Sequence, residues 1–212
     1  MEKKPETQVK IKICGLRTPA DVAAVNAALP EYAGFIFVPM RRRYVAPAQA
    51  AILCRQLDPR IRPVGVFVDA RVEEILETLE HCPLDMVQLH GAEDNDYIAM
   101  LRTAYRDREF CIVKAFRVED ADDIRRAEAS AADEILLDHG AGGTGECFDW
   151  TLLQDCRRRF FLAGGLTPDN VDEAIRVAQP YAVDVSSSLE TDGRKDPEKI
   201  RRFVAAVRGA TR

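Results

Sequence analysis

The stretch FFLAGGLTPDNVDEAIRVAQPYAVDVSS (160–187) combines two short apolar runs with a segment of helical spacing between them. The runs are FFLAGG (160–165) and YAVDVSS (181–187), and apolar residues recur three and four positions apart in PDNVDEAIRVA (168–178). Short continuous apolar runs are typical of parallel strands covered on both faces, and the spacing between them is typical of an amphipathic helix. The stretch therefore predicts a strand–helix–strand unit of a parallel sheet.

The same alternation continues through the rest of the chain. Six more apolar runs precede this unit: VKIKIC (9–14), YAGFIFV (32–38), PVGVFVD (63–69), DMVQLHG (85–91), FCIVKAF (110–116) and EILLD (134–138). Eight strands at intervals of roughly 20–30 residues, each followed by a helix, predict a (β/α)8 TIM barrel of the α/β class, formed as a single domain by residues 1–212. A doubly wound open sheet is the alternative. However, the first strand leads into CGLRTP (14–19), without the GxGxxG turn of that fold.

Three sequence pairs predict where helices begin. Thr18-Pro19, Thr167-Pro168 and Asp196-Pro197 each place a capping side chain before a proline. Proline is well suited to the first helical position, and threonine or aspartate to the capping position before it. We therefore expect helices to begin at residues 19, 168 and 197.

Composition and charge argue against a nucleic-acid-binding or membrane-binding protein. The 212 residues are 47% hydrophobic, and 35 acidic residues against 30 basic ones give a formal net charge of -5. This balance disfavours general binding to nucleic acid or to a membrane surface, and no apolar run is long enough to span a bilayer. We expect a cytoplasmic protein, monomeric or homodimeric, whose partner is a small molecule.

The cysteines form no recognisable metal or redox motif. None of the six belongs to a CxxC pair, and they do not cluster with the three histidines, so we expect no zinc-ribbon or thioredoxin-like site and no bound metal. Cys54, Cys82, Cys111 and Cys156 lie in or beside apolar segments, and we interpret them as small buried hydrophobic side chains. Cys14 differs because it ends the first predicted strand.

Residues suited to chemistry gather where the strands are predicted to end. In (β/α)8 barrels, catalytic residues lie at the C-terminal ends of the strands. This rule selects Cys14, Arg43, Asp69, Gln88, His90, Lys114, Asp138 and Asp184. We expect all of them to face one mouth of the barrel.

Two loops near the end of the chain predict a phosphate site. AGGLTPDN (163–170) has a Gly-Gly turn before a helix, and DVSSSLE (184–190) offers backbone amides and hydroxyls. Glycine lets the backbone approach an anion closely, and a helix N-terminus presents unpaired N–H groups. The loops after strands seven and eight commonly bind phosphate in this fold. The Gly-rich segment DHGAGGTGECFDW (138–150) is either a connector or a loop that closes on the substrate.

Cys14 and Asp138 are the candidates for proton transfer. A thiol of pKa ~8.5 becomes a thiolate more readily in an electropositive mouth, and a carboxyl in a pocket that excludes water can retain a proton. A buried structural cysteine is the alternative for Cys14. Lys114 is either a Schiff-base lysine or a lysine that is ion-paired or faces the phosphate.

Arg43 is the candidate for carboxylate recognition, because a guanidinium matches a carboxylate with two parallel hydrogen bonds. The run Arg41-Arg42-Arg43 also suggests nucleic-acid binding. We consider that interpretation weak, because the run has no aromatic stacking platform.

The motifs together resemble phosphoribosylanthranilate isomerase of tryptophan biosynthesis over essentially the whole chain. The matching segments include KICGL (12–16), GFIFVPMRRRYVAP (34–47), VQLHG (87–91), GGTGECFDW (142–150), LAGGLTPDNV (162–171) and AVDVSSSLE (182–190). The resemblance implies an isomerase that needs no cofactor. Its reaction would be an Amadori rearrangement converting the aminoaldose N-(5-phosphoribosyl)anthranilate into an open-chain aminoketose.

The resemblance also assigns roles to individual residues. Cys14 matches the general base and Asp138 the general acid. Arg43 matches the residue that binds the anthranilate carboxylate, and Asp184 matches a further carboxylate of the active site. Gly165, Ser186 and Ser187 match the phosphate-binding region.

Two positions depart from the family pattern. Ser188 replaces the glycine of a VSSG motif, so its side chain is expected either to crowd the phosphate amides or to add a hydroxyl hydrogen bond. Arg41 stands where a small polar residue is common. Other hypotheses are a related phosphate-binding barrel, such as an indole-glycerol-phosphate synthase or a pentose-phosphate epimerase, and a non-catalytic phosphosugar-binding protein.

Overall fold

The computed structural model describes residues 8–105, 110–138 and 149–210. Its strands are β1 Lys10–Cys14, β2 Tyr32–Ile36, β3 Arg62–Phe67, β4 Met86–Leu89, β5 Cys111–Arg117, β6 Glu134–Asp138, β7 Phe160–Ala163, β8 Ala182–Val185, β9 Glu190–Thr191 and β10 Arg194–Lys195. Its α-helices are α1 Pro19–Ala28, α2 Pro47–Cys54, α3 Val72–His81, α4 Asn95–Ala104, α5 Ala121–Glu128, α6 Val171–Ala178 and α7 Pro197–Ala210. Two short 3-10 helices span Trp150–Asp155 and Ser187–Leu189.

Strands β1 to β8 form a closed parallel barrel in chain order. Pairing of β1 with both β2 and β8 closes the barrel and sets Lys12 opposite Asp184 and Cys14 opposite Gly34. Strands β9 and β10 form a small separate hairpin before α7. The predicted (β/α)8 barrel is confirmed, and the doubly wound open sheet is excluded.

The apolar side chains form two layers, as the two-residue period of a strand requires. Ile11 and Ile13 point outwards into the large core between strands and helices, whereas Val113 and Phe161 belong to a smaller cluster inside the barrel. Lys12 lies between Ile11 and Ile13 in sequence, so its side chain points inwards. The barrel interior therefore contains a buried charged side chain.

The helix starts agree with the sequence at two of the three predicted positions. Thr18 caps α1 by accepting a hydrogen bond from the Asp21 amide. Asp196 accepts from the backbone amides of residues 198 and 199 at the start of α7. The prediction for residue 168 is wrong, because α6 begins at Val171.

The later start of α6 has a local cause. The Asn170 side chain accepts a hydrogen bond from the Thr167 amide and donates one to the Gly165 carbonyl. These two bonds form a turn that occupies residues 167–170 ahead of the helix. In the described residues between β6 and β7, a six-residue 3-10 helix takes the place of the expected α-helix.

No helix among the described residues combines the length and apolar character needed to cross a membrane.

Candidate active site

A cavity of about 600 Å³ opens at the C-terminal ends of the barrel strands. All seven predicted site residues line it: Cys14, Arg43, Asp138, Gly165, Asp184, Ser186 and Ser187. Gln88 and His90, from the fourth strand and the loop that follows it, complete the side opposite the glycines. The structure therefore brings together residues from strands that are distant in sequence.

A larger cavity, of about 1000 Å³, lies at the opposite end of the barrel against Tyr32 and Arg62. Two of the arginines that line it already face carboxylates: Arg159 pairs with Glu134, and Arg62 lies 3.5 Å from Asp85. Active sites of this fold lie at the C-terminal face. We therefore assign the chemistry to the smaller cavity.

Cys14 is held between a buried ion pair and a glycine. Lys12 Nζ lies 2.9 Å from Asp184 Oδ2 and 3.0 Å from Oδ1, and its charge also interacts with the Cys14 thiol. Lys12 and Cys14 share a face because they are two residues apart on β1. A Cβ atom at Gly34 would lie 2.7 Å from Cys14 Sγ, so the absence of a side chain there makes room for the sulfur.

The charges around Cys14 act in opposite directions. Burial raises the pKa of the Cys14 thiol, the positive charge of Lys12 lowers it, and the net direction is upwards. Burial lowers the pKa of Lys12, but the Asp184 carboxylate and the Cys14 thiol raise it by more, so the net shift is upwards. Lys12 therefore keeps its ammonium form. The lysine is thus a fixed positive charge beside the sulfur.

Asp138 faces His90 across the cavity mouth. Its Oδ2 lies 3.7 Å from His90 Nε2, and His90 Nδ1 lies 2.9 Å from Gln88 Nε2. Burial lowers the pKa of His90 despite the nearby Asp138 carboxylate, so the imidazole is neutral at neutral pH. Gln88 Oε1 is buried and has no hydrogen-bond partner among the described residues. This amide therefore keeps an acceptor available on the cavity wall.

Arg43 is oriented by a carboxylate that sequence analysis did not identify. Its Nε donates to Glu190 Oε1 at 2.6 Å and its Nη2 to Oε2 at 3.1 Å. Although burial opposes ionisation, the hydrogen bond from Arg43 and the charge of Lys195 lower the pKa of Glu190 to about 2. One edge of the guanidinium is thus fixed on Glu190, and Arg43 still lines the cavity.

The two predicted phosphate loops meet at the same wall. Gly165 has φ +65°, and a Cβ atom placed on it would meet no atom within 4 Å, so its backbone borders open space. The Ser186 hydroxyl donates to the Cys14 carbonyl at 3.0 Å, and Lys195 Nζ donates to the Ser186 carbonyl at 2.9 Å. These bonds connect the loop after β8 directly to the end of β1.

Ser188 neither adopts a strained backbone nor points its hydroxyl freely into the cavity. Its Oγ donates to the Leu166 carbonyl at 2.6 Å. The described non-glycine residues with positive φ are Leu29, Met40, Asp69, Gln179 and Asp192. The serine therefore fits the loop with ordinary backbone geometry and connects the two phosphate loops.

Two residues expected at the mouth do not line the cavity. The Asp69 side chain accepts a hydrogen bond from the Ala92 amide at 2.6 Å. Lys114 is buried, donates to the Gly91 carbonyl at 2.7 Å and lies 3.2 Å from Glu93. The ion-paired interpretation of Lys114 is therefore the correct one. Most of the segment predicted to close on the substrate, residues 139–148, lies outside the described residues.

Sequence analysis missed Lys12, Glu190 and Lys195 as parts of the site. Lys12 could have been predicted from the sequence, because a lysine two positions before Cys14 must point to the same side of β1. No sequence pattern identifies Glu190 and Lys195, because their roles depend on the hairpin of β9 and β10 folding back towards the barrel. Their mutual distance of 3.2 Å follows from that hairpin.

Comparison with known proteins agrees with this geometry. The model of a family described as N-(5'-phosphoribosyl)anthranilate isomerase matches residues 11–206. The chain belongs to the N-(5'-phosphoribosyl)anthranilate isomerase family. The expectation of an isomerase of this family is thereby confirmed.

Individual relatives of the family match over nearly their whole length. The N-(5'-phosphoribosyl)anthranilate isomerase of Endomicrobium trichonymphae is 43% identical over 204 residues, covering 94% of this chain and 98% of the relative. A phosphoribosylanthranilate isomerase solved with reduced 1-(o-carboxyphenylamino)-1-deoxyribulose 5-phosphate has a TM-score of 0.84 at 35% identity, covering 95% and 99% of the two chains. Monomers generated from the dimeric Thermotoga maritima enzyme have a TM-score of 0.83 at 35% identity, with the same coverage.

Proposed function

We propose that this chain catalyses the family's Amadori rearrangement in tryptophan biosynthesis, with Cys14 as general base and Asp138 as general acid. The substrate is N-(5-phosphoribosyl)anthranilate and the product is 1-(2-carboxyphenylamino)-1-deoxyribulose 5-phosphate. The observation that carries the proposal is that Cys14, Asp138 and the two glycine- and serine-rich loops line one cavity. A proton donor, a proton acceptor and a phosphate cradle are all that this reaction requires of the protein.

The first step is opening of the ribose ring. Asp138, in its protonated form, donates its proton to the ring oxygen while the bond between that oxygen and C1′ breaks. The nitrogen lone pair forms a C1′=N bond, which gives a cationic Schiff base. His90 is neutral and lies close to Asp138, so it adds no positive charge that would disfavour the protonated carboxyl.

The second step is removal of the C2′ proton. The Schiff base makes this proton acidic, and the Cys14 thiolate accepts it. The C–H electron pair forms the C1′=C2′ bond of an enolamine and the C1′=N π electrons return to nitrogen. Tautomerisation of the enolamine then gives the aminoketose. Lys12 is the positive charge that stabilises the thiolate, and Asp184 holds Lys12 in place.

Substrate binding uses the two sides of the cavity. We assign the phosphate to Gly165, whose backbone borders open space, and to the Ser186-Ser187 loop, which lines the same cavity. The anthranilate carboxylate is placed at Arg43, whose orientation Glu190 fixes. A relative binds a reduced form of the product, which carries both of these anionic groups.

Phosphoribosylanthranilate is fluorescent, and its loss can be followed directly. The protein should consume it without added metal or cofactor, and the product should be identified by mass and by its conversion in a coupled synthase assay. If the correctly folded protein binds the product analogue but leaves the substrate unchanged, the proposal is wrong and a phosphosugar-binding role replaces it.

The proposal extends to the state of the protein in the cell. We infer a cytoplasmic protein that forms one domain over residues 1–212 and is a monomer or a homodimer. A dimeric relative supports the second of these assembly states. Light scattering coupled to gel filtration distinguishes the two.

A further inference from the structure

Cys54 and Cys82 form a pair of neighbouring thiols outside the candidate active site. Cys54 is the last residue of α2, and Cys82 follows α3 directly. Their Sγ atoms lie 3.4 Å apart, in direct contact, although 28 positions separate the two residues in sequence. Both were expected to be small buried hydrophobic side chains, and the sequence pattern did not indicate that they touch.

The two sulfurs lie close enough for a small movement to join them in a disulfide. A disulfide needs an S–S distance of about 2.05 Å, so the two sulfurs would have to approach by little more than 1 Å. Both side chains are attached at helix ends, where small adjustments disturb few backbone hydrogen bonds. We propose that Cys54 and Cys82 are a modification site, at which a peroxide oxidant forms a disulfide that joins α2 to α3.

The surroundings favour Cys82 as the attacking sulfur. The hydrogen bond between the two thiols lowers the pKa of Cys82, and the positive charge of Arg55 acts in the same direction. The same interaction raises the pKa of Cys54. Cys82 is 1% exposed and Cys54 is 7% exposed. A small oxidant such as hydrogen peroxide therefore reaches the two sulfurs more easily than a bulky disulfide reagent does.

The chemistry balances with peroxide alone. The Cys82 sulfur attacks one oxygen of hydrogen peroxide, the O–O bond breaks, and Cys82 becomes a sulfenic acid while one water is released. The Cys54 sulfur then attacks the Cys82 sulfur, the S–O bond breaks, and a second water leaves. Two thiols are thus oxidised to one disulfide while the two peroxide oxygens are reduced to water.

The test is a peptide map of the full chain after mild treatment with hydrogen peroxide, without reduction. Trypsin places Cys54 in residues 44–55 and Cys82 in residues 72–102. The expected result is a cross-linked species of these two peptides, lighter by two hydrogen atoms than their sum and lost on reduction. Cys14 falls in a separate peptide, residues 13–17, so its own oxidation is measured independently.

Thermal unfolding supplies a second measurement. A disulfide of this loop length should raise Tm by about 4–16 °C, reversibly with a dithiol reductant. The rise should disappear in Cys54→Ser and in Cys82→Ser. It should persist in Cys156→Ser, the matched control, because the described hydrogen bond of the Cys156 thiol goes to the carbonyl of Arg158 and not to either cysteine of the pair. The proposal is overturned if the treated wild-type protein yields only uncross-linked 44–55 and 72–102 peptides.

Discussion

Ser188 Oγ donates a hydrogen bond of 2.6 Å to the backbone carbonyl of Leu166. This bond joins the loop after β8 to the loop after β7, and those are the two loops to which we assign the phosphate. The sequence left open whether Ser188 crowds the phosphate or binds it. The structure offers a different function, in which the serine fixes the distance between the two halves of the phosphate site.

Replacing Ser188 should therefore weaken phosphate binding. Ser188→Ala removes the bond to Leu166, and Ser188→Gly removes it and loosens the backbone as well. We expect each to raise Kd for the reduced product analogue by roughly 2- to 10-fold, the equivalent of one hydrogen bond. The glycine variant should be the weaker binder, as titration calorimetry can measure. Tighter binding by Ser188→Gly would instead favour crowding by the serine side chain.

Arg43 should control affinity rather than turnover. Arg43→Lys loses the paired hydrogen bonds to Glu190 and the planar match to a carboxylate, so KM should rise roughly 10- to 100-fold with little change in kcat. Arg42→Lys is the matched control, because Arg42 also bonds Glu190 but is largely exposed and does not line the cavity. Equal effects of the two variants would show that Arg43 acts only by holding Glu190.

Asp138→Asn should lower kcat by roughly 10²- to 10⁴-fold, because an amide keeps the shape of the carboxyl but cannot deliver a proton to the ring oxygen. Affinity for the product analogue should change little. Asp85→Asn, at the opposite end of the barrel, should leave both quantities unchanged. If Asp138→Asn raises KM and keeps kcat, the residue binds substrate and the acid must be sought elsewhere.

The pH dependence should report the Cys14 thiol. Burial raises its pKa, so the thiol is mostly protonated at neutral pH and the base form increases as pH rises. In a plot of kcat/KM against pH, the value should therefore rise roughly tenfold per pH unit until the pH reaches the pKa of the thiol. Lys12→Gln removes the charge that lowers this pKa and should move this rise to higher pH.

The control for that shift is Lys10→Gln, two residues earlier on β1, where Lys10 bonds the Tyr181 hydroxyl at the other end of the barrel. Thermal unfolding checks that Lys12→Gln is folded despite the loss of the partner of Asp184. Superimposable profiles for wild type and Lys12→Gln would remove Lys12 from the account of thiolate stabilisation.

The fold could be predicted from sequence because the strands of a closed parallel barrel are buried on both faces and therefore appear as separate apolar runs. The strand-end rule then located Cys14, Asp138 and Asp184. It could not separate them from Lys114, because whether a strand-end side chain turns into the cavity or towards a neighbour depends on local partners such as Glu93.

Other features of the site depend on contacts that form only in the folded chain. The start of α6 depends on hydrogen bonds of the Asn170 side chain. The Thr167-Pro168 pair instead predicts an earlier start, at residue 168. The bidentate contact between Arg43 and Glu190 joins residues 147 positions apart, and no local pattern carries that information. Sequence patterns record which residues are buried and where strands end, whereas distant pairings arise only in the folded chain.

The most direct test of the central claim is the turnover of Cys14→Ser. A serine hydroxyl is a far poorer proton acceptor than a thiol at neutral pH, so kcat for loss of phosphoribosylanthranilate fluorescence should fall at least ~10²-fold, with unchanged Tm and unchanged affinity for the reduced product analogue. A correctly folded Cys14→Ser variant that retains near-normal kcat would contradict the assignment of Cys14 as the general base.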